Sequence, residues 1–131
     1  MTAKAITGLG LGGLLAINGA IMLAWPDGWY QGVPGVIERG PYNGHFIRDI
    51  GIVFIIAGAA MVWTIRQPPA WPAAMAGALF LCAHTGVHLV EAATGHVGHG
   101  LALLELPPFL LGAALALWIA WPPRLAGTGG R

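Results

Sequence analysis

His84, His88 and Glu91 stand at i, i+4 and i+7 in the stretch HTGVHLVE, a spacing that puts two imidazoles and a carboxylate on one face of a helix. Imidazole and carboxylate are the usual ligands of zinc, iron and copper, and two or three on one helix can reach a single ion. The same groups also donate and accept protons near neutral pH. His45 and Asp49, in HFIRD, form a second i, i+4 pair with Arg48 at its edge. Brought together, the two stripes offer five metal ligands: His45, Asp49, His84, His88 and Glu91. Haem b is the other cofactor the set could hold, with His45 and either His84 or His88 as axial ligands from two helices. The pattern is not HExxH, because Thr85 follows His84. It also reverses the Glu-x-x-His order of di-iron bundles.

The elements that must position these groups are membrane helices. Of 131 residues 56% are hydrophobic and only 8% charged, against about 25% charged in a soluble domain. Four apolar segments, about 5–25, 44–65, 72–93 and 101–121, are each long enough to cross the ~30 Å hydrocarbon core. They predict an all-α fold: one integral membrane domain over residues 1–131, a four-helix antiparallel bundle. The connection at 26–43, with Trp29, Tyr30, Val33, Val36 and Ile37, reads as partly interfacial. Pro107 and Pro108 cannot bond back to Leu103 and Leu104, so the fourth helix begins at the prolines or kinks there. Glycines at 8 and 12, with small residues on the other helices, predict close packing inside the bundle. The apolar run at the N-terminus is too long for a secretory signal and reads as a retained first helix.

Lys4, Arg66, Arg124 and Arg131 share one side of this four-crossing layout, which predicts cytoplasmic termini. The expected setting is a bacterial inner membrane, multi-pass. A net charge of +1, from six basic and five acidic residues, excludes a nucleic-acid partner. The bilayer itself, a membrane redox partner and a second copy of the chain are the partners left. Cys82 is the lone cysteine, so no CxxC metal or redox motif exists.

In this layout every ionisable group buried in a crossing falls in the outer half: His45, Arg48 and Asp49, then His84, His88 and Glu91, with Glu105 and Asn18 at similar depth. Arg48, Glu105 and Asn18 are supporting residues, and His96 and His99 lie in a glycine-rich outer loop. An ionisable side chain facing hydrocarbon costs ~2.5 kcal/mol or more, so these faces should point into the bundle. Three functions follow. The first is a metal or haem site in a small membrane protein that is an accessory subunit of a redox system. The second is a polar lock without cofactor in a partner-binding subunit, Arg48 pairing with Asp49 or Glu91. The third is a protonatable site for a quinone or another lipid-soluble substrate. Whether the protein is an enzyme is left open by the residues. A channel or transporter is disfavoured, because conduction needs polar groups through the whole thickness.

The run NGHFIRDIGIVFIIAGAAMVW, Asn43 to Trp63, resembles the DoxX-like group of small bacterial four-helix membrane proteins, in which an arginine near a helix start precedes a glycine-punctuated apolar run. The resemblance covers the second helix and the overall layout. It implies an inner-membrane bundle, in some cases an accessory subunit of quinone-linked oxidation, with Arg48 as a polar anchor.

Overall fold

A computed structural model describes residues 1–122; Arg124 and Arg131, counted above toward the cytoplasmic side, lie outside the described residues. The described residues are mainly helical and include no strand: α1 (Ala3–Ala24), α2 (Pro26–Gly32), α3 (Gly44–Arg66), α4 (Trp71–Ala93) and α5 (His99–Ala120), with single 3-10 turns at Ile37–Arg39 and Pro68–Ala70. All but α2 are long and apolar enough to cross a membrane, as expected of a multi-pass membrane protein. Only 17 to 33% of each span is buried by the protein itself, and residues such as Leu14, Ile17, Ile56, Val87 and Leu111 face outward. In water such a surface would not stay unpaired; in lipid it is the required exterior.

Helix ends follow local chemistry. Thr2 caps α1 by accepting from the Ala5 N–H at 3.2 Å, and Asn43 caps α3 by accepting from the Phe46 N–H at 3.1 Å. Pro26 occupies the first position of α2, where a missing N–H costs nothing. Past Ala93 the chain reverses through Gly95 at φ 74, with the His96 N–H on the Glu91 carbonyl at 2.9 Å. The α5 helix starts at His99, well before the prolines, and carries Pro107 and Pro108 in its interior. A start at the prolines is therefore corrected.

The antiparallel order can be read from which residues meet. A Cβ on Gly12 would come within 2.8 Å of the Gly58 carbonyl, and one on Gly51 within 2.9 Å of the Gly19 carbonyl. As the number rises on α1 it falls on α3, so the two helices run oppositely with their backbones in contact. The same inversion relates Ala57 and Phe54 of α3 to Gly77 and Phe80 of α4, and Thr85 and His88 of α4 to Phe109 and Glu105 of α5. Without a hydrophobic force between helices in lipid, these approaches supply the packing. Met22, Met61 and Ile119 are the largest side chains buried completely.

Lys4 and Arg66 mark one end of the bundle, where Lys4 Nζ donates to the Trp121 carbonyl at 2.9 Å. At the other end the 26–43 connection folds down onto the helices. Trp29 Nε1 donates to Asn18 Oδ1 at 3.0 Å, and Tyr30 Oη donates to the Gly40 carbonyl at 2.8 Å. That anchored connection carries Arg39 toward α4 and α5.

Candidate functional site

Arg39 is the centre of the polar cluster. Its guanidinium has five N–H groups in a planar fork, and each has an acceptor. Nε donates to Glu91 Oε2 at 2.8 Å, Nη1 to the Gly35 carbonyl at 2.7 Å and to Glu105 Oε1 at 3.1 Å, and Nη2 to Glu105 Oε2 at 2.5 Å. The last N–H meets His88 Nδ1 at 2.9 Å. The pair with Glu105 is bidentate, the strongest arrangement open to a guanidinium and a carboxylate. These side chains are only partly in contact with solvent, Arg39 at 20%, Glu91 at 28% and Glu105 at 10%. Burial opposes the positive charge on Arg39, but the hydrogen bonds to Glu105 and then Glu91, with the attraction of both carboxylates, outweigh it and raise its pKa further above the ordinary value.

Local structure makes this contact possible. Gly35, at φ 85, turns the chain into the 3-10 segment, and a Cβ there would collide with the Glu105 carboxylate. No other residue type satisfies both conditions. Glu91 and Glu105 come from the facing ends of α4 and α5, so one side chain from the connection ties three segments together.

The network also orders the two imidazoles. Arginine can only donate, so His88 Nδ1 is an acceptor and the neutral ring carries its proton on Nε2. His88 Nε2 lies 3.3 Å from His84 Nε2 and donates to it, which leaves the His84 proton on Nδ1. Phenylalanines pack against both rings. Phe109 stacks on His88 with centroids 4.1 Å apart, Phe80 stacks on His84 at 5.8 Å, and Phe54 and Phe109 meet His84 edge-on at 5.9 and 5.7 Å. Beside them the Thr85 hydroxyl donates to the Leu81 carbonyl at 2.8 Å.

Of the residues singled out from sequence, His84, His88, Glu91 and Glu105 are thus brought together. His45 and Asp49 are not part of this group. They pair with each other, Nε2 to Oδ2 at 3.3 Å, on the outside of α3 with side chains 89% and 54% exposed. Arg48 pairs with neither Asp49 nor Glu91; it donates to the Leu23 carbonyl at 3.4 Å and the Gly44 carbonyl at 3.2 Å. Its partner is the open C-terminal end of α1. Asn18 supports the Trp29 indole, away from the cluster. In the 94–98 turn His96 Nδ1 meets the Thr94 hydroxyl at 2.8 Å, and His99 is exposed.

No family model, curated protein or solved structure matches the chain. Among the described residues no group of three or more His, Cys, Asp and Glu side chains is arranged around a common metal position. In the Glu91, Glu105 and His88 group, the guanidinium stands where such an ion would be.

The residue that sequence reasoning passed over is Arg39. One signal pointed to it: Glu91 and Glu105 need a counter-ion at their end of the bundle, and only Arg39 and Arg48 are available there. A helix fixes the depth of Arg48, whereas the docking of a connection leaves no periodic trace.

Proposed function

We propose that this protein is a small integral membrane subunit whose polar cluster is a structural lock rather than a cofactor cradle. The observation that carries this reading is the complete use of the Arg39 guanidinium by Glu91, Glu105, His88 and the Gly35 carbonyl. A lock of this kind fixes the connection and the ends of α4 and α5 in one arrangement, as polar groups set register between helices that apolar packing alone leaves free to slide. The face so fixed is what a partner subunit, or a second copy, would recognise.

A metal or haem at His84 and His88 requires imidazole lone pairs. In the arrangement described, the His88 Nδ1 lone pair is taken by Arg39 and the His84 Nε2 lone pair by His88. The exposed His45 is separated from both. A cofactor would have to dismantle the lock, which is why the lock is the better supported reading.

The rest of the proposal concerns setting. Lys4 and Arg66 share the end opposite the network, which supports cytoplasmic termini and a network on the outer side of a bacterial inner membrane. The likeness of residues 43–63 to DoxX-like proteins fits such a bundle, with Arg48 anchoring the end of α1.

Thermal unfolding in detergent, with elemental analysis of the same samples, tests the lock. Arg39→Met should lower the unfolding temperature clearly while the wild type is metal-free. A stable Arg39→Met protein, or one equivalent of metal lost on changing His88, would refute it.

A further inference from the structure

The end of the bundle opposite the Arg39 network holds a cleft of about 200 Å³, bounded by Lys4 of α1, Thr64 and Ile65 of α3, Trp71 of α4, Ile119 of α5 and Trp121. Sites that enclose a drug-sized ligand run to about 300–1,000 Å³, so this one suits a compact polar group.

Thr64 is the residue that asks for a ligand. It is only 7% exposed, yet its hydroxyl has no hydrogen-bond partner among the described residues, whereas Thr85 and Thr94 each donate to the carbonyl four residues earlier. Among those residues no side-chain oxygen or nitrogen sealed inside the protein lacks a partner, so the Thr64 oxygen opens to the cleft that the residue lines. A largely buried hydroxyl in this state costs free energy until something bonds to it.

Charge narrows what that can be. Lys4 Nζ donates to the Trp121 carbonyl at 2.9 Å and keeps two N–H groups for another acceptor. Arg66 closes α3 at the same end. All five acidic residues, Asp27, Glu38, Asp49, Glu91 and Glu105, belong to the other end, so no acidic side chain answers Lys4. A cation and a free hydroxyl without a carboxylate select an anion. Both residues stand in the terminal turns of membrane-spanning helices, and tryptophans flank them, which is the level of lipid headgroups.

We infer that this cleft seats the phosphodiester of an anionic phospholipid, with Lys4 paired to one phosphate oxygen and the Thr64 hydroxyl donating to another. The apolar sides given by Ile65 and Ile119 favour a phosphate carried by a lipid over one free in water. A zwitterionic headgroup would bring its own ammonium against Lys4 and Arg66. The inference depends neither on the lock nor on which side of the membrane this end faces.

The test uses the full chain in detergent, a short-chain phosphatidylglycerol as probe, and native mass spectrometry to count bound lipid. Wild type should retain one phosphatidylglycerol in preference to phosphatidylcholine of the same chain length, and excess inorganic phosphate should not displace it. Thr64→Val keeps the shape and the charge but removes the hydroxyl, so it should weaken binding about tenfold. Thr64→Ser should recover most of that loss, and Lys4→Met should weaken binding at least as much as Thr64→Val. Thr64→Val binding as tightly as wild type would mean a diffuse attraction to a basic surface and would overturn the site, as would a loss that Thr64→Ser does not recover. Displacement by inorganic phosphate, or no preference for phosphatidylglycerol, would overturn the lipid as its occupant.

Discussion

Arg39 Nη2 donates to Glu105 Oε2 at 2.5 Å across 66 residues of sequence, and this one pair joins the α2–α3 connection to the far helix of the bundle. Because Glu91 and His88 share the same guanidinium, removing Arg39 leaves two carboxylates at a membrane-facing end without a counter-charge. Arg39→Met should therefore destabilise by about 3 kcal/mol, the usual cost of breaking a largely buried pair from one side. Arg39→Lys keeps the charge but has only three donors and no fork, so it should fall between wild type and Arg39→Met. Thermal or denaturant unfolding in detergent measures both. Equal stability of all three proteins would contradict the arrangement.

Gly35 makes a sharper local prediction. Its positive φ and the collision of any Cβ with the Glu105 carboxylate mean that Gly35→Ala strains the turn and displaces Glu105 together. A loss of about 2 kcal/mol is expected. Gly86→Ala, in open space on α4, should be neutral or slightly stabilising. Unfolding midpoints of the two variants should separate cleanly; the same loss at both positions would mean that helix propensity, not the turn, is being measured.

The α1–α3 crossing should be intolerant of size. A Cβ on Gly19 would strike the Gly51 carbonyl, and one on Gly12 would meet Gly58 at 2.8 Å. Gly19→Val should force the helices apart, at a cost of about 1–3 kcal/mol as overpacking does. Gly13 lies on the same helix with nothing within 4 Å of a Cβ, so Gly13→Val should change only helix propensity, a gain of a few tenths of a kcal/mol. Disulfide trapping between cysteines placed along α1 and α3 would report the displacement directly.

Arg39 itself should keep its charge between pH 5 and 9. Burial works against its charge, yet its carboxylate partners hold the pKa above the ordinary guanidinium value. A group raised in the folded state gives its full stabilisation below the unfolded pKa and loses it only as pH climbs through the folded one. That window lies well on the alkaline side of the range measured. The stability difference between wild type and Arg39→Met, measured at pH 6, 7 and 9, should therefore show no loss that tracks deprotonation of Arg39.

The exposed pair on α3 is predicted to contribute little. His45 and Asp49 face away from the bundle, and exposed pairs are worth a fraction of 1 kcal/mol. His45→Ala and Asp49→Asn should unfold close to wild type, whereas His88→Ala should not. A large loss at His45 would require a contact on the outside of α3 that a single chain does not provide.

The four crossings were legible because each is a long apolar run bounded by proline, glycine or charge, and lipid leaves the backbone no choice but a helix. The stripe His84, His88 and Glu91 was legible for the same reason: a helix fixes which residues share a face. Pairing it with His45 and Asp49 rests on depth and on the cost of facing hydrocarbon. Depth does not set the rotation of α3, which is decided by Gly51 and Gly58 packing against α1 and leaves His45 outside. Arg39 was not legible, because its position depends on Trp29 and Tyr30 anchoring an irregular connection. Non-periodic segments carry their geometry in such contacts, and those exist only once the helices are in place.

The most direct test of the lock is a double-mutant cycle of Arg39→Met and Glu105→Gln, followed by reversible unfolding in detergent. The account predicts strong coupling, about 2 kcal/mol or more, because each partner alone strands the other. Additive losses, with a coupling near zero, would contradict it.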